Sequence, residues 1–137
     1  MLKLTRISKS NKAGQDKESG QRVLYVEDED VNWEVAELAL RSKFQLTRAK
    51  TAEEAFSHLS KTSFDLILMD VQMPVLNGYE ATRLIRDIEA GKEIHTPIIA
   101  LTAYAMKSDK DQCIEAGMDD YIAKPFKRQQ FLDVIKN

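Results

Sequence analysis

The sequence has a single cysteine, Cys113, in 137 residues. It cannot close an internal disulfide and no paired-cysteine metal spacing exists, so the cytoplasm, a reducing compartment, is the expected location. The sequence also lacks any apolar run long enough to cross a bilayer, so no direct membrane contact is expected. Its N-terminus, MLKLTRISKS, scatters basic residues where a secretory signal needs a continuous apolar core. Neither sign of charge dominates: the 20 Lys and Arg face 22 Asp and Glu, for a net charge of -2. Nucleic acid is therefore not expected as a partner. With those classes set aside, 43% apolar and 31% charged residues describe an ordinary globular domain with room for one core.

Residues 1–20 are rich in Lys, Ser, Gln, Asn and Gly without sustained periodicity, and are expected to be a flexible tail or linker. From Gln21 onward the pattern alternates. RVLYV is a short apolar run, and Val31, Val35, Leu38 and Ala39 recur at helical spacing in VNWEVAELALRSK. FQLTRA predicts a strand. TAEEAFSHLSK predicts a helix, with Thr51 as N-cap and Glu54 three residues on as the other half of a capping box. FDLILM is an uninterrupted apolar stretch of the kind found in strands covered on both faces. GYEATRLIRDIEA predicts a helix stopped by Gly91, TPIIAL a buried strand, KSDKDQCIEA a helix ended by Gly117, DYIA a short strand and KRQQFLDVIK a last helix. Five strand–helix pairs in strict alternation imply a parallel sheet with helices on both faces. Ligands of such sheets gather beyond the carboxyl ends of the strands, where strand order reverses.

The first strand runs directly into Glu27, Asp28 and Glu29, and the third ends at Asp70. In the strand order 2-1-3-4-5 these two ends are neighbours at the reversal. Carboxylates crowded there raise one another's pKa unless a cation offsets them, and magnesium suits a site of one or two carboxylates plus exchangeable waters. The fourth strand ends at Thr102, a hydroxyl, and the fifth leads to Lys124, an ammonium. A carboxylate nucleophile, a metal, a hydroxyl and a lysine together are what phosphoryl transfer to an aspartate requires. A nucleotide cradle does not fit, because the turn after the first strand is acidic instead of glycine-rich. Each residue also has a plainer reading: a solvated acidic turn at a helix start, a strand-ending polar residue, a helix cap, a surface lysine. Their joint placement on one sheet edge favours chemistry.

In order and spacing, VLYVEDEDVN, LILMDVQMPVLNGYEATRLIR, IIALTAYAM and GMDDYIAKPF resemble the receiver domain of two-component response regulators, with a flavour closest to hybrid histidine kinases and phosphorelays. The resemblance spans Arg22 to Asn137, so 21–137 is expected to be one receiver domain. It implies a flavodoxin-like, doubly wound α/β fold and Asp70 as acceptor of a phosphoryl group from a phosphohistidine. It further implies a magnesium held by Asp28, Asp70 and the backbone carbonyl of Gln72, with Glu27 acting through water. Lys124 would pair with the acyl phosphate, Thr102 would swing inward to it, Tyr121 would be the aromatic that moves with the threonine, and Pro125 would follow the lysine in a cis peptide. The implied partners are a histidine kinase or a histidine phosphotransfer protein, and a downstream effector. Trp33, Pro125 and Phe126 are docking candidates; packing of Trp33 on its own domain is the plainer alternative.

Glu27 stands where aspartate is commoner in the family. Tyr104, two positions past Thr102, would flank the attacking water and slow hydrolysis of the acyl phosphate. A phosphatase of the haloacid dehalogenase type, which needs an acid two positions past its nucleophile, is disfavoured by Gln72 there. A receiver-like module that no longer takes phosphate is disfavoured because the acidic pair, the acceptor and the lysine are all present. His58 and His95 lack ligand spacing, and Asp119 and Asp120 suggest a solvated turn.

Overall fold

A computed structural model describes residues 21–71, 77–102, 107–123, 129, 130, 132 and 133. The predicted tail, Gln72, Tyr104, Lys124, Pro125, Phe126 and most of the last predicted helix lie outside the described residues. The elements are β1 (Gln21–Val26), α1 (Asp30–Leu40), β2 (Phe44–Ala49), α2 (Ala52–Lys61), β3 (Leu66–Asp70), α3 (Gly78–Glu89), β4 (Ile98–Thr102), α4 (Lys107–Ala116) and β5 (Asp120–Ala123). Gln129, Gln130, Leu132 and Asp133 are helical. The five strands form one sheet in the order β2-β1-β3-β4-β5, all neighbours parallel. This is the anticipated doubly wound arrangement.

Alternation along the strands divides the core in two, because successive side chains leave opposite faces of a sheet. Leu24, Val26, Ile67, Met69, Ile98 and Ala100 meet Ala52, Ala55, Ala81, Ile85 and Cys113 of α2, α3 and α4. Val23, Tyr25, Leu66, Leu68, Ile99 and Leu101 meet Ala36 and Leu40 of α1, together with Leu132. With both faces covered, β3 and β4 are buried at every position, which explains why each is apolar up to its last residue, Asp70 or Thr102.

On α1 the sheet takes a different stripe from the one the sequence suggests. Val31, Val35 and Leu38 are 67%, 56% and 66% exposed, whereas Ala36 and Leu40 are fully buried. Helix 30–40 carries two apolar stripes, and small Ala36 lets the helix backbone approach the strands closely, with Trp33 and Ala39 closing the margins. Asp119 also departs from expectation. Its side chain is only 9% exposed and accepts from Arg86 Nη2 at 2.9 Å and Ile98 N at 2.9 Å, with His95 Nε2 at 2.7 Å from its other oxygen. It ties helix α3 to the entry of β4 and is not a solvated turn residue.

The helix ends follow local rules. Thr51 Oγ1 accepts from Glu54 N at 3.1 Å, but Glu54 Oε1 bonds Lys50 N at 2.7 Å instead of completing the box at Thr51. The complete box is at α3, where Asn77 Oδ1 accepts from Glu80 N and Glu80 Oε1 accepts from Asn77 N. Gly91 and Gly117 follow α3 and α4 at φ of 83° and 106°, conformations that side chains with a Cβ resist.

Candidate phosphoacceptor and metal site

Parallel pairing brings the carboxyl ends of β1, β3 and β4 to one edge of the sheet. Val26 lies opposite Met69, and Asp70 opposite Leu101, so the residues just past β1 and the last residue of β3 share one crevice. Pairing runs one residue beyond β1, since Glu27 N donates to Ala49 O at 2.9 Å. Helix α3 starts against the end of β3. A Cβ on Gly78 would stand 2.5 Å from the Asp70 carbonyl oxygen and 2.7 Å from Val71 Cα, so only glycine lets this helix start so close to the strand end.

Glu27, Asp28 and Asp70 converge: each offers a carboxylate oxygen, and all three atoms lie within 4.8 Å of one another. Glu27 and Asp70 are buried and Asp28 half-buried. Two ionised carboxylates at that separation repel by about 3 kcal/mol at an effective dielectric of ~20. One oxygen, Asp28 Oδ1, is buried with no hydrogen-bond partner among the described residues. A buried anionic oxygen without a donor is costly, and an all-oxygen acidic crevice suits a hard divalent cation. Among the described residues, Asp28, Asp70 and Glu27 are therefore able to hold one.

Glu27 is held on both carboxylate oxygens. Tyr25 Oη donates to Oε1 at 2.8 Å, while Glu29 N and Asn32 Nδ2 donate to Oε2 at 3.1 and 3.3 Å. Arg48 Nε donates to its backbone carbonyl at 3.1 Å, and Arg48 Nη1 pairs with Asp30 at 2.8 Å. That guanidinium, and then Lys50, hold the Asp30 carboxyl below its ordinary range. Burial first, and the charge of Glu27 second, push the Tyr25 phenol far above its ordinary value, so it remains a protonated donor. Trp33 is half-buried between the Tyr25 ring, 6.0 Å away, and the Arg48 guanidinium, 5.8 Å from its centroid.

Thr102 is buried at the last position of β4, one residue past the partner of Asp70. Tyr121 lies opposite Ala100 on β5, half-buried, with Lys110 Nζ 5.1 Å from its ring centroid. Gln72 and Lys124 are outside the described residues. Sequence reasoning missed Tyr25, Asn32, Arg48 and Gly78. The signal for Tyr25 was available: two residues before Glu27 on a strand, it must share its face. Arg48 had none, because its role depends on pairing opposite Tyr25 across β1 and β2.

Residues 23–136 match the family described as the response regulator receiver domain. The chain belongs to this family. As a receiver domain it is 46% identical over 121 residues to hybrid signal transduction histidine kinase I of Dictyostelium discoideum, and 48% identical over 89 residues to histidine kinase 1 of Arabidopsis thaliana. Those matches take in 84% and 65% of the chain but 7% of each relative, so it spans a small fraction of the curated proteins it resembles. Among solved structures it is similar to the receiver domain of the Pseudomonas aeruginosa sensor histidine kinase PA1611, which has a magnesium ion coordinated in its active-site cleft. The identity is 44% and the TM-score 0.76, covering 86% of this chain and 96% of that one. It is also similar to a co-crystal structure of the Saccharomyces cerevisiae histidine phosphotransfer protein Ypd1 with the receiver domain of Ssk1. There the identity is 33% and the TM-score 0.76, over 85% and 87% of the two chains. No helix among the described residues of this receiver domain is long and apolar enough to cross a membrane.

Proposed function

We propose that this receiver domain accepts a phosphoryl group from a phosphohistidine onto Asp70, with magnesium bound beside it, and that the new charge changes its surface. One observation carries the reading: Glu27 and Asp28, just past β1, and Asp70, at the end of β3, each bring a carboxylate oxygen within 4.8 Å of the others, and Asp28 Oδ1 is buried with no partner among the described residues. Asp28 and Asp70 would hold the cation with the backbone carbonyl of Gln72, and Glu27 would serve it through water. The cation would supply positive charge opposite the equatorial oxygens of the transferring group. A carboxylate oxygen of Asp70 attacks phosphorus; the P–N bond to the partner's imidazole breaks and its electron pair returns to that nitrogen, leaving an acyl phosphate. Attack by water regenerates Asp70 and releases phosphate. The domain is thus its own acceptor, with no separate substrate turned over.

By family resemblance Lys124 pairs with the phosphoryl oxygens, Thr102 bonds one of them, and Tyr121 moves with Thr102. The donor would be a histidine kinase or a histidine phosphotransfer protein, and an effector would read the result. Val31, Val35 and Leu38 are the exposed apolar residues of α1, the helix that starts beside the crevice, and Trp33, Pro125 and Phe126 remain candidates for the same partner.

Intact-mass measurement after incubation with a small-molecule phosphodonor and magnesium tests the reading. One phosphoryl adduct is expected, removed by hydroxylamine and absent from Asp70→Asn. An adduct that persists in Asp70→Asn would reject Asp70 as the acceptor.

A further inference from the structure

Glutamate at position 27 has one methylene more than the commoner aspartate, in a crevice where it is fully buried. A longer arm has more rotamers and must be aimed. Among the described residues, three donors reach its carboxylate: Tyr25 Oη on Oε1, and Glu29 N and Asn32 Nδ2 on Oε2. Glu29 N belongs to the adjacent turn, and Asn32 lies at the longest of the three distances, in the first turns of α1. The tyrosine is different. It comes from inside the sheet, is 1% exposed, and its ring is locked among Trp33 and the core beneath α1. Its hydroxyl is therefore a rigid donor at a fixed point, set by the two-residue repeat that puts Tyr25 and Glu27 on one face of β1.

We infer that Tyr25 is a positioning residue: its hydroxyl pins Glu27 as a stationary acceptor for the water shell of a divalent cation, keeping it from direct ligation. The inference rests on the reading of Asp28 and Asp70 as the cation's carboxylate ligands. Partners that hold a direct ligand are commonly worth about 10–100-fold in metal affinity, and Tyr25, which holds a group acting through water, falls at the lower end. With phenylalanine at 25 the ring packing stays and the rigid donor is lost; Glu29 N and Asn32 Nδ2 still reach Oε2, but Oε1 loses the hydroxyl that aims it at the waters it should hold.

A calorimetric titration with magnesium chloride, without phosphodonor, tests this in four proteins: wild type, Tyr25→Phe, Glu27→Asp and the double variant. Tyr25→Phe is expected to weaken magnesium binding about tenfold in the glutamate background. In the Glu27→Asp background, where the shorter arm no longer reaches the hydroxyl, the same change should have no effect. Equal losses in both backgrounds would mean a general packing defect and overturn the inference. Unchanged or tighter binding by Tyr25→Phe would overturn it too. Urea midpoints measured without magnesium verify that each variant is folded. Absence of magnesium binding by the wild type would instead defeat the cation reading itself, so the two failures are distinguishable.

Discussion

Arg86 holds the edge of the sheet opposite the acidic crevice through one side chain. Its Nε donates to Gly117 O at 2.9 Å, Nη1 to Thr96 O at 2.9 Å and to Glu89 at 2.6 Å, and Nη2 to Asp119 at 2.9 Å. A guanidinium can do this because its donors radiate in a plane; a lysine could not serve four acceptors from one point. Asp119 in turn holds Ile98 N and His95, so the loops entering β4 and β5 share one charge network. Removing one member of a largely buried pair strands the other charge. Asp119→Ala is expected to lower stability by about 3 kcal/mol in urea denaturation, because it takes one of two carboxylates from Arg86 and an acceptor from Ile98 N and His95 at once. A loss under about 1 kcal/mol would show that water replaces the carboxylate freely. The sequence offered two adjacent aspartates before a short strand and no hint of which was buried. Burial of Asp119 depends on Arg86, 33 residues away, coming to rest beneath it.

At the scale of elements, α1 shows what periodicity can and cannot decide. The helix itself was legible, as were all five strands, because β3 and β4 are apolar up to their last residues, Asp70 and Thr102, and segments of helical period separate the strands. Which face of α1 turns inward was not. Two apolar stripes run along it, and larger Val31, Val35 and Leu38 outweigh Ala36 and Leu40 in any hydrophobicity count. Close approach to the strands selected the small residue. The two stripes should therefore respond oppositely to substitution. Leu40→Ala removes a fully buried side chain and is expected to cost about 2–5 kcal/mol. The double change Val35→Ser with Leu38→Gln should stay within about 0.5 kcal/mol of wild type by urea denaturation. If the outer stripe meets a histidine-bearing partner, the same double variant should also lose phosphotransfer from that partner while keeping phosphorylation by a small donor. Stability loss comparable to Leu40→Ala would mean that the outer stripe supports the fold.

At the scale of the whole molecule, the strand order is what turned scattered residues into a site. Glu27 and Asp28 lie more than forty residues before Asp70, yet a parallel sheet sets all carboxyl ends on one edge, so their meeting could be read from topology alone. The supporting residues could not, since Tyr25, Asn32 and Arg48 act through contacts that only packing creates. Packing also has a consequence for pH. Tyr25, Tyr79 and Cys113 are each held above their ordinary values, by burial first, and Tyr79 is pushed up to about 12. The unfolded chain gives up these protons near the ordinary 9.0 of a thiol and 10.0 of a phenol, while the folded protein retains them. As the pH rises past 9 the unfolded state therefore binds fewer protons than the native state, and stability must fall. The contribution is complete below pH 9 and is progressively lost toward pH 12. Urea midpoints taken at intervals from about pH 8 upward should decline accordingly, and Tyr79→Phe, which removes one of the three titrating groups from both states, should flatten the part between 10 and 12. A wild-type midpoint constant across that window, or a Tyr79→Phe decline as steep as wild type, would show that these groups are not kept protonated by the fold.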